Sequence, residues 1–487
     1  MNFAWQSGDE AKAVVILPSL PACCRPEKRM KKLLQFGLRG LVALVILVVI
    51  AGLVTLSGVD SRELPPASLP AAAVEAAVRE GELRAGFARV KLTPTVGTSR
   101  DVPEQGEFRS LPLAGYGNRK GKPATGVHDD LWVKAVAFAA GGQTGVVVCA
   151  DALIVPREIA DLATARITAE TGLRREQVYF SATHTHCSLG GWGEGPVGEA
   201  FAGPFQPAVR IWFAGQLATA TAQALKDLAP ASIGRGSFSA PQFIRNRLVG
   251  DRGQIDPEFA LLLVKRPDGS SAVLGSFGAH ATVLGGGMLE FSAEYPGAWA
   301  QAVEQATGGM ALFAAGGVGS HSAKAPAGGF EGVDKLGQAL ATETLAQLPG
   351  IGVTNRVRFG VLGATLELPE LQARVTDDVR LRPWVAAKLL PVGTRTLLQG
   401  FRFNDALWLS TPCDFSGELA LELKAEARAR GQHLQVTSFN GDYVGYVIPA
   451  KYYHLEGYEP RTMSFFGPHL PDLFMGTLRQ LAEGLNR

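Results

Sequence analysis

Apolar and polar positions along this chain fall into runs whose periods predict most of its elements. One run stands apart. Between Arg39 and Asp60 lie twenty uncharged residues, GLVALVILVVIAGLVTLSGV. As a helix rising about 1.5 Å per residue, such a run spans about 30 Å, the hydrocarbon core of a bilayer. From Leu83 to Gly86 onward, ELRAGFARVKLTP alternates apolar and polar residues, the period of a strand. Residues 132–139 and 145–150 are largely apolar and β-branched, which predicts buried strands. Residues 157–172 predict a helix, with Ile159, Leu162, Ala163 and Ile167 on one face and Gly172 past its end. A strand over 178–183 and a helix over 209–228 follow. Further strands are expected at 260–265, 273–277, 311–314, 357–368 and 406–410, and further helices at 295–306, 333–348, 417–431 and 470–485. The order β, α, β, α predicts an α/β fold: layered mixed β-sheets flanked by helices, in one large domain after a transmembrane helix.

Charge sets the boundaries. Lys28, Arg29, Lys31, Lys32 and Arg39 precede the apolar run, which predicts a cytoplasmic N-terminus and an exported remainder, periplasmic or extracellular. The length of the run and the lack of a clear A-x-A site favour an uncleaved anchor over a cleaved signal peptide. The expected division is a basic segment over 1–39, a single-pass signal anchor over 40–59, a linker with a short helix over 60–85, and a globular domain over 86–487. Residues 1–29 look unlike a folded element, and Met30 before Lys31 and Lys32 would make a natural start. The chain is 46% hydrophobic with a formal net charge of +2, a balance that argues against nucleic-acid binding. Five cysteines, at 23, 24, 149, 187 and 413, show neither zinc spacing nor a disulfide framework. No internal sequence repeat is visible.

The chemistry is concentrated in FSATHTHCSLGG. His184 and His186 leave an apolar stretch and precede a glycine-rich loop. In an extended segment, residues i and i+2 share a side, so two imidazoles beside a flexible loop suit a metal or a proton-transfer site. A bare HxH is more often a pair of surface or core histidines.

The rest of the chain changes that balance, because from about Gly86 onward several segments, in order, resemble the neutral, non-lysosomal ceramidases. They are GVHDDLWVKAVAF, SATHTHCSLGGW, NRL at 246–248, GAHATVLGG, GGVGSHS, TPCDFSGE and, most specific, NGDYVGYVIPAKYYHLEGYEPRTMSFFGP. The resemblance implies a zinc amidohydrolase that cleaves the N-acyl bond of ceramide or a related lipid, releasing a fatty acid and a sphingoid-type amine. It implies one Zn2+ held by His184, His280, Asp414 and Tyr446. His186 would sit beside the ion and move a proton. Arg247, with rivals in Arg245 and Arg252, and Tyr458 would contact the substrate amide. Ser320 would be the nucleophile. The implied partners are a lipid-like amide and, through the N-terminal helix, a membrane; no protein partner is implied.

Departures from the family pattern leave alternatives open. Asp414 stands for a glutamate and is one methylene shorter; by itself it reads as a helix N-cap before FSGELALEL. The family's Pro-Asn after the serine is His321-Ser322, so either Ser320 or metal-activated water attacks, and His321 becomes a further candidate base or ligand. If the ligands converge, Cys187 and Cys413 are expected near one another, and an exported domain would allow them to pair; otherwise they are small buried apolar residues. No room remains for the family's C-terminal immunoglobulin-like domain. The alternative functions are hydrolysis of another amide or ester, or lipid binding without catalysis.

Overall fold

The computed structural model describes residues 26–390 and 392–487 and comprises two units, Met1–Leu56 and Ser57–Arg487. In the first, Pro26–Thr55 forms one helix, and its Arg29–Thr55 portion is long and apolar enough to cross a membrane. Most of the expected basic segment, Cys23 and Cys24 lie outside the described residues.

The second unit is built on three mixed sheets. The first runs Ala229–Pro230, Arg84–Lys91, Trp132–Ala140, Gln143–Ala150, Val178–Ala182; only the last pairing is parallel. The second runs Ser232–Ser239, Glu258–Lys265, Ser271–Phe277, Met310–Ala315, again with only the last pairing parallel. The third runs Val78–Glu82, Arg356–Glu367, Arg395–Phe403, Ala406–Ser410, His433–Thr437 on the same plan. In each sheet an antiparallel meander ends in a helical crossover to one parallel strand. The crossover helices are Arg157–Thr171, Glu294–Thr307 and Gly417–Ala429. The plan recurs without a matching sequence repeat, because backbone pairing constrains topology while each sheet packs different side chains.

The valine- and alanine-rich strands are buried, as their largely apolar runs predict, and on both faces. One face of every sheet meets a shared core that includes Phe138, Tyr179, Ile233, Leu262, Phe359 and Trp408. The other faces are covered by helices. Arg157–Thr171 and Pro207–Lys226 cover the first sheet, Glu294–Thr307 and Gly329–Gln347 the second, Gly417–Ala429 and Leu470–Gly484 the third. The α/β layered class is therefore observed.

Several strands escaped the sequence reading, four of the longer ones in the three main sheets. Ser232–Ser239, Arg395–Phe403 and His433–Thr437 carry interspersed polar residues, and Val78–Glu82 lies in the stretch read as linker. That last strand pairs with Arg356–Gly360 at the edge of the third sheet, just after the short helix Ala71–Ala76.

Candidate metal centre and its cavity

Ligands of open α/β sheets bind beyond the carboxyl ends of the strands, where neighbouring loops part. The three sheets bring such ends together. His184 follows Val178–Ala182, His280 follows Ser271–Phe277, and Ser320 follows Met310–Ala315. Asp414 follows Ala406–Ser410, and Tyr443 and Tyr446 follow His433–Thr437.

His184 takes the left-handed conformation, φ +63°, which is strained for a residue with a Cβ. The strain is held by its amide donating to Ala152 O at 3.0 Å and by its ring stacking on Phe439, centroids 4.3 Å apart. Its Nδ1 lies 2.6 Å from Leu153 O. A carbonyl only accepts, so Nδ1 carries the proton and the Nε2 lone pair faces inward. His280 repeats the device with Nδ1 3.4 Å from Val318 O, and Tyr295 Oη donates to the carbonyl of neighbouring Ala279. The two Nε2 atoms are 2.8 Å apart. His186 Nε2 completes the group, 3.0 Å from His280 Nε2 and 3.4 Å from His184 Nε2. Burial pushes His186 and His280 well below the usual histidine range, so both are neutral at pH 7, the state that ligates metals.

Asp414 brings the carboxylate. It begins the short strand Asp414–Phe415, which pairs in parallel with Tyr446–Val447 in the register Asp414 to Tyr446. Tyr443 Oη donates to Asp414 Oδ2 at 2.8 Å. Asp414 Oδ1 is buried, accepts no hydrogen bond and lies 3.4 Å from His184 Nε2. Asp414 is not the helix cap: Ser416 caps Gly417–Ala429 by accepting from Glu418 N.

Inward lone pairs 2.8 Å apart repel unless a cation lies between them. A tetrahedral zinc bound at about 2.0–2.1 Å holds two nitrogens ~3.3 Å apart, so spacings of 2.8, 3.0 and 3.4 Å lie within about half an ångström of that value. A buried carboxylate oxygen without a partner is costly in the same way. The residues present therefore fit a divalent cation, and His184, His186 and His280 form a group able to hold one.

The other expected site residues divide. Arg247 Nη2 donates to Tyr446 Oη at 2.8 Å, and Arg247 Nε pairs with Glu459 Oε1 at 2.8 Å. Tyr458 packs edge-on to Tyr446, centroids 5.8 Å apart. Of the two rival arginines, Arg245 bonds Ser322 Oγ and Arg252 sits in a short 3-10 turn. Ser320 is fully buried. Its Oγ lies 2.9 Å from Ser416 Oγ and accepts from Gly417 N at 3.1 Å. Its side chain is thus engaged at the start of the Gly417–Ala429 helix. His321 turns its Nε2 to Gln254 O at 3.0 Å, away from the histidine group. Cys187 and Cys413 are free thiols buried in different cores, the first beside Arg119 and the second under the third sheet, so the expected disulfide is replaced by the apolar role.

Sequence reasoning missed Tyr443, Glu459, Tyr295 and Arg119. Buried Arg119 donates to Ala114 O, Met288 O and His186 O and fixes the loop that carries His186. Opposite it, Gly115 has φ +114°, and a Cβ there would lie 2.7 Å from the His186 ring. No local pattern marks these partners, because each acts across a long sequence separation.

His184, His186, Asp414, Tyr443, Tyr446 and Tyr458 line a cavity that opens to solvent. The rest of its lining is mostly apolar, with Ile154, Trp192, Val197, Val392 and Phe465, and also includes charged Arg157, Glu158, Glu194, Arg210 and Asp442; Ser320 is not part of it.

Fold and site together define a layered α/β protein with a cation-competent histidine group at the end of a largely apolar cavity. No protein-family model matches the chain, and no curated protein sequence does. Solved structures do match. The neutral ceramidase from Pseudomonas aeruginosa superposes with a TM-score of 0.66 at 19% identity, over 83% of this chain and 75% of that one. A ceramidase complexed with C2 gives 0.66 at 18%, over 82% and 76%. This chain has the fold of those ceramidases.

Proposed function

We propose that this chain is a zinc-dependent amidohydrolase of neutral ceramidase type. It cleaves the N-acyl bond of ceramide or a related lipid-like amide to a fatty acid and an amine. The observation that carries the reading is the pair of inward Nε2 lone pairs of His184 and His280, 2.8 Å apart beside the unpartnered Asp414 Oδ1. The shared fold and the apolar cavity support the substrate class.

In this reading His184, His280, Asp414 and Tyr446 would hold the zinc, and His186 would sit beside it. A bound zinc supplies Lewis acidity and brings the pKa of water to about 7. The chain's own groups do the rest. The apolar wall seats the acyl chain and excludes water. Arg247 and Tyr458 donate to the amide oxygen as it gains negative charge, with Glu459 holding the guanidinium in place. His186 accepts the proton of the attacking hydroxyl and returns it to the leaving nitrogen. Ser320 attacks only if its hydroxyl leaves Ser416 and Gly417; otherwise the attacking oxygen is water. Net, one water is added across the C–N bond. The Arg29–Thr55 helix anchors the protein, with its N-terminus cytoplasmic and the domain exported.

Metal analysis and turnover on ceramide, compared with soluble N-acyl amines, test this. His184→Ala and Asp414→Ala are expected to abolish stoichiometric zinc and turnover together. Full zinc content in both variants would sink the proposal. His186→Ala losing zinc makes His186 a ligand, whereas zinc retained with low turnover keeps it as the proton carrier. Ser320→Ala with near-normal turnover assigns the attack to water.

A further inference from the structure

Eight large apolar side chains are exposed among the described residues of Ser57–Arg487; Tyr458 lines the cavity, Trp384 and Leu389 lie on the helix that runs into the lining residue Leu390, and Val375 lies on the turn that leads to that helix. The two most exposed, Val375 at 52% and Trp384 at 51%, are both among these four. The four belong to one connected lip. Val375 tips a turn closed by its amide bonding Val379 O, and the strand Val379–Leu381 leads into the helix Pro383–Leu389. Arg374, beside Val375, donates to Tyr453 O and Pro460 O and so ties this turn to the segment carrying Tyr458. The helix Pro383–Leu389 buries Ala386 and turns Trp384, Lys388 and Leu389 outward. Immediately after it, Leu390 and Val392 line the cavity wall.

Isolated apolar residues on a surface need no explanation, but a cluster around the mouth of an apolar cavity does. Its chemistry selects the occupant. Tryptophan has an apolar body and one N–H and is enriched at membrane–water interfaces. Lys388 lays its ammonium 5.3 Å from the Trp384 ring, the arrangement in which a long cationic side chain keeps its charge in water while its stem lies along apolar surface. The exposed side chains sit on a helix continuous with the wall of a cavity. The same chain carries a helix of membrane-spanning length and composition.

We infer that the lip formed by Val375, Trp384, Leu389 and Tyr458 docks on a phospholipid bilayer, so that the cavity receives its substrate directly from the lipid surface. The inference rests on the proposed lipid-amide reading of the cavity. Leu390 and Val392 then extend an apolar path from bilayer to site, and an acyl chain enters without crossing water.

The test uses the full-length protein reconstituted into phosphatidylcholine vesicles carrying bromine on the acyl chains, which quench nearby indoles. The wild type is expected to lose part of its tryptophan emission, and Trp384→Phe to lose distinctly less. Trp299→Phe, altered in the buried core of the second sheet and away from the cavity lining, should quench as the wild type does. Equal quenching in wild type and Trp384→Phe overturns the inference. So does a Trp384 signal that follows protein concentration rather than vesicle bromination, which would mean a second copy covers the lip. A second arm compares a long-chain N-acyl amide in vesicles with a soluble short-chain amide. Trp384→Ala with Leu389→Ala should raise KM about tenfold for the first and leave the second unchanged. The quenching arm needs no turnover, so docking stands or falls separately from the amidase chemistry.

Discussion

At the scale of single residues, the centre depends on who holds each donor. The two inward lone pairs exist because Leu153 O and Val318 O take up the Nδ1 protons. Asp414 offers a free Oδ1 because Tyr443 occupies its Oδ2. Partners of this kind typically carry a factor of 10–100 in metal affinity. Tyr443→Phe is therefore expected to weaken zinc binding by about 10- to 100-fold in a chelator competition without unfolding the protein; an unchanged affinity would mean the bond does not orient the carboxylate. Motif reading singled out His184, His280, Asp414 and Tyr446 as candidates because they lie in recognisable strings. It could not reach Tyr443 as the donor to Asp414, since which of two nearby phenols turns toward the carboxylate depends on the pairing of Asp414–Phe415 with Tyr446–Val447.

At the scale of elements, the start of the Gly417–Ala429 helix joins structure to site. Ser416 caps it, and the Ser416 hydroxyl also contacts Ser320 Oγ. Loss of such a cap costs about 1 kcal/mol. Ser416→Ala should lower the unfolding free energy, read from urea titrations, by about that much. Combined with Ser320→Ala, the two losses should fail to add by roughly 0.5 kcal/mol or more, because the residues share one hydrogen bond. Strict additivity in urea titrations would show that the 2.9 Å contact contributes nothing. The sequence reading offered Asp414 as a cap for this helix, whereas the structure uses Ser416. The choice fell to Ser416 because Asp414 is already committed to a strand pairing.

At the scale of the whole molecule, three sheets sharing one core place carboxyl groups where water is excluded. Glu294, buried at the start of the Glu294–Thr307 helix, accepts from Leu284 N at 3.0 Å and Tyr295 N at 2.8 Å. Burial pushes its carboxyl up to about 7, and the backbone donors only partly oppose this. The folded state therefore holds a proton that the unfolded chain releases near pH ~4.3. The stability this group contributes is full below that pH and is lost as pH rises through about 7. Glu294→Gln cannot ionise, so its thermal midpoint should fall less between pH 5 and pH 8 than that of the wild type. Identical pH profiles would remove Glu294 from the account.

The sequence by itself determined the apolar membrane-length run, most of the helices and central strands, and the residue types able to bind a cation. Those properties are local: hydrophobic period, length and side-chain chemistry are written into neighbouring residues. Only the tertiary structure decided that His186 joins His184 and His280, that Ser320 is engaged with a helix start, and that Cys187 and Cys413 lie in separate cores. It also decided that four exposed apolar side chains gather at one lip. Each of these depends on which strand ends meet when three sheets close on a common core, a long-range packing outcome that no window of adjacent residues contains.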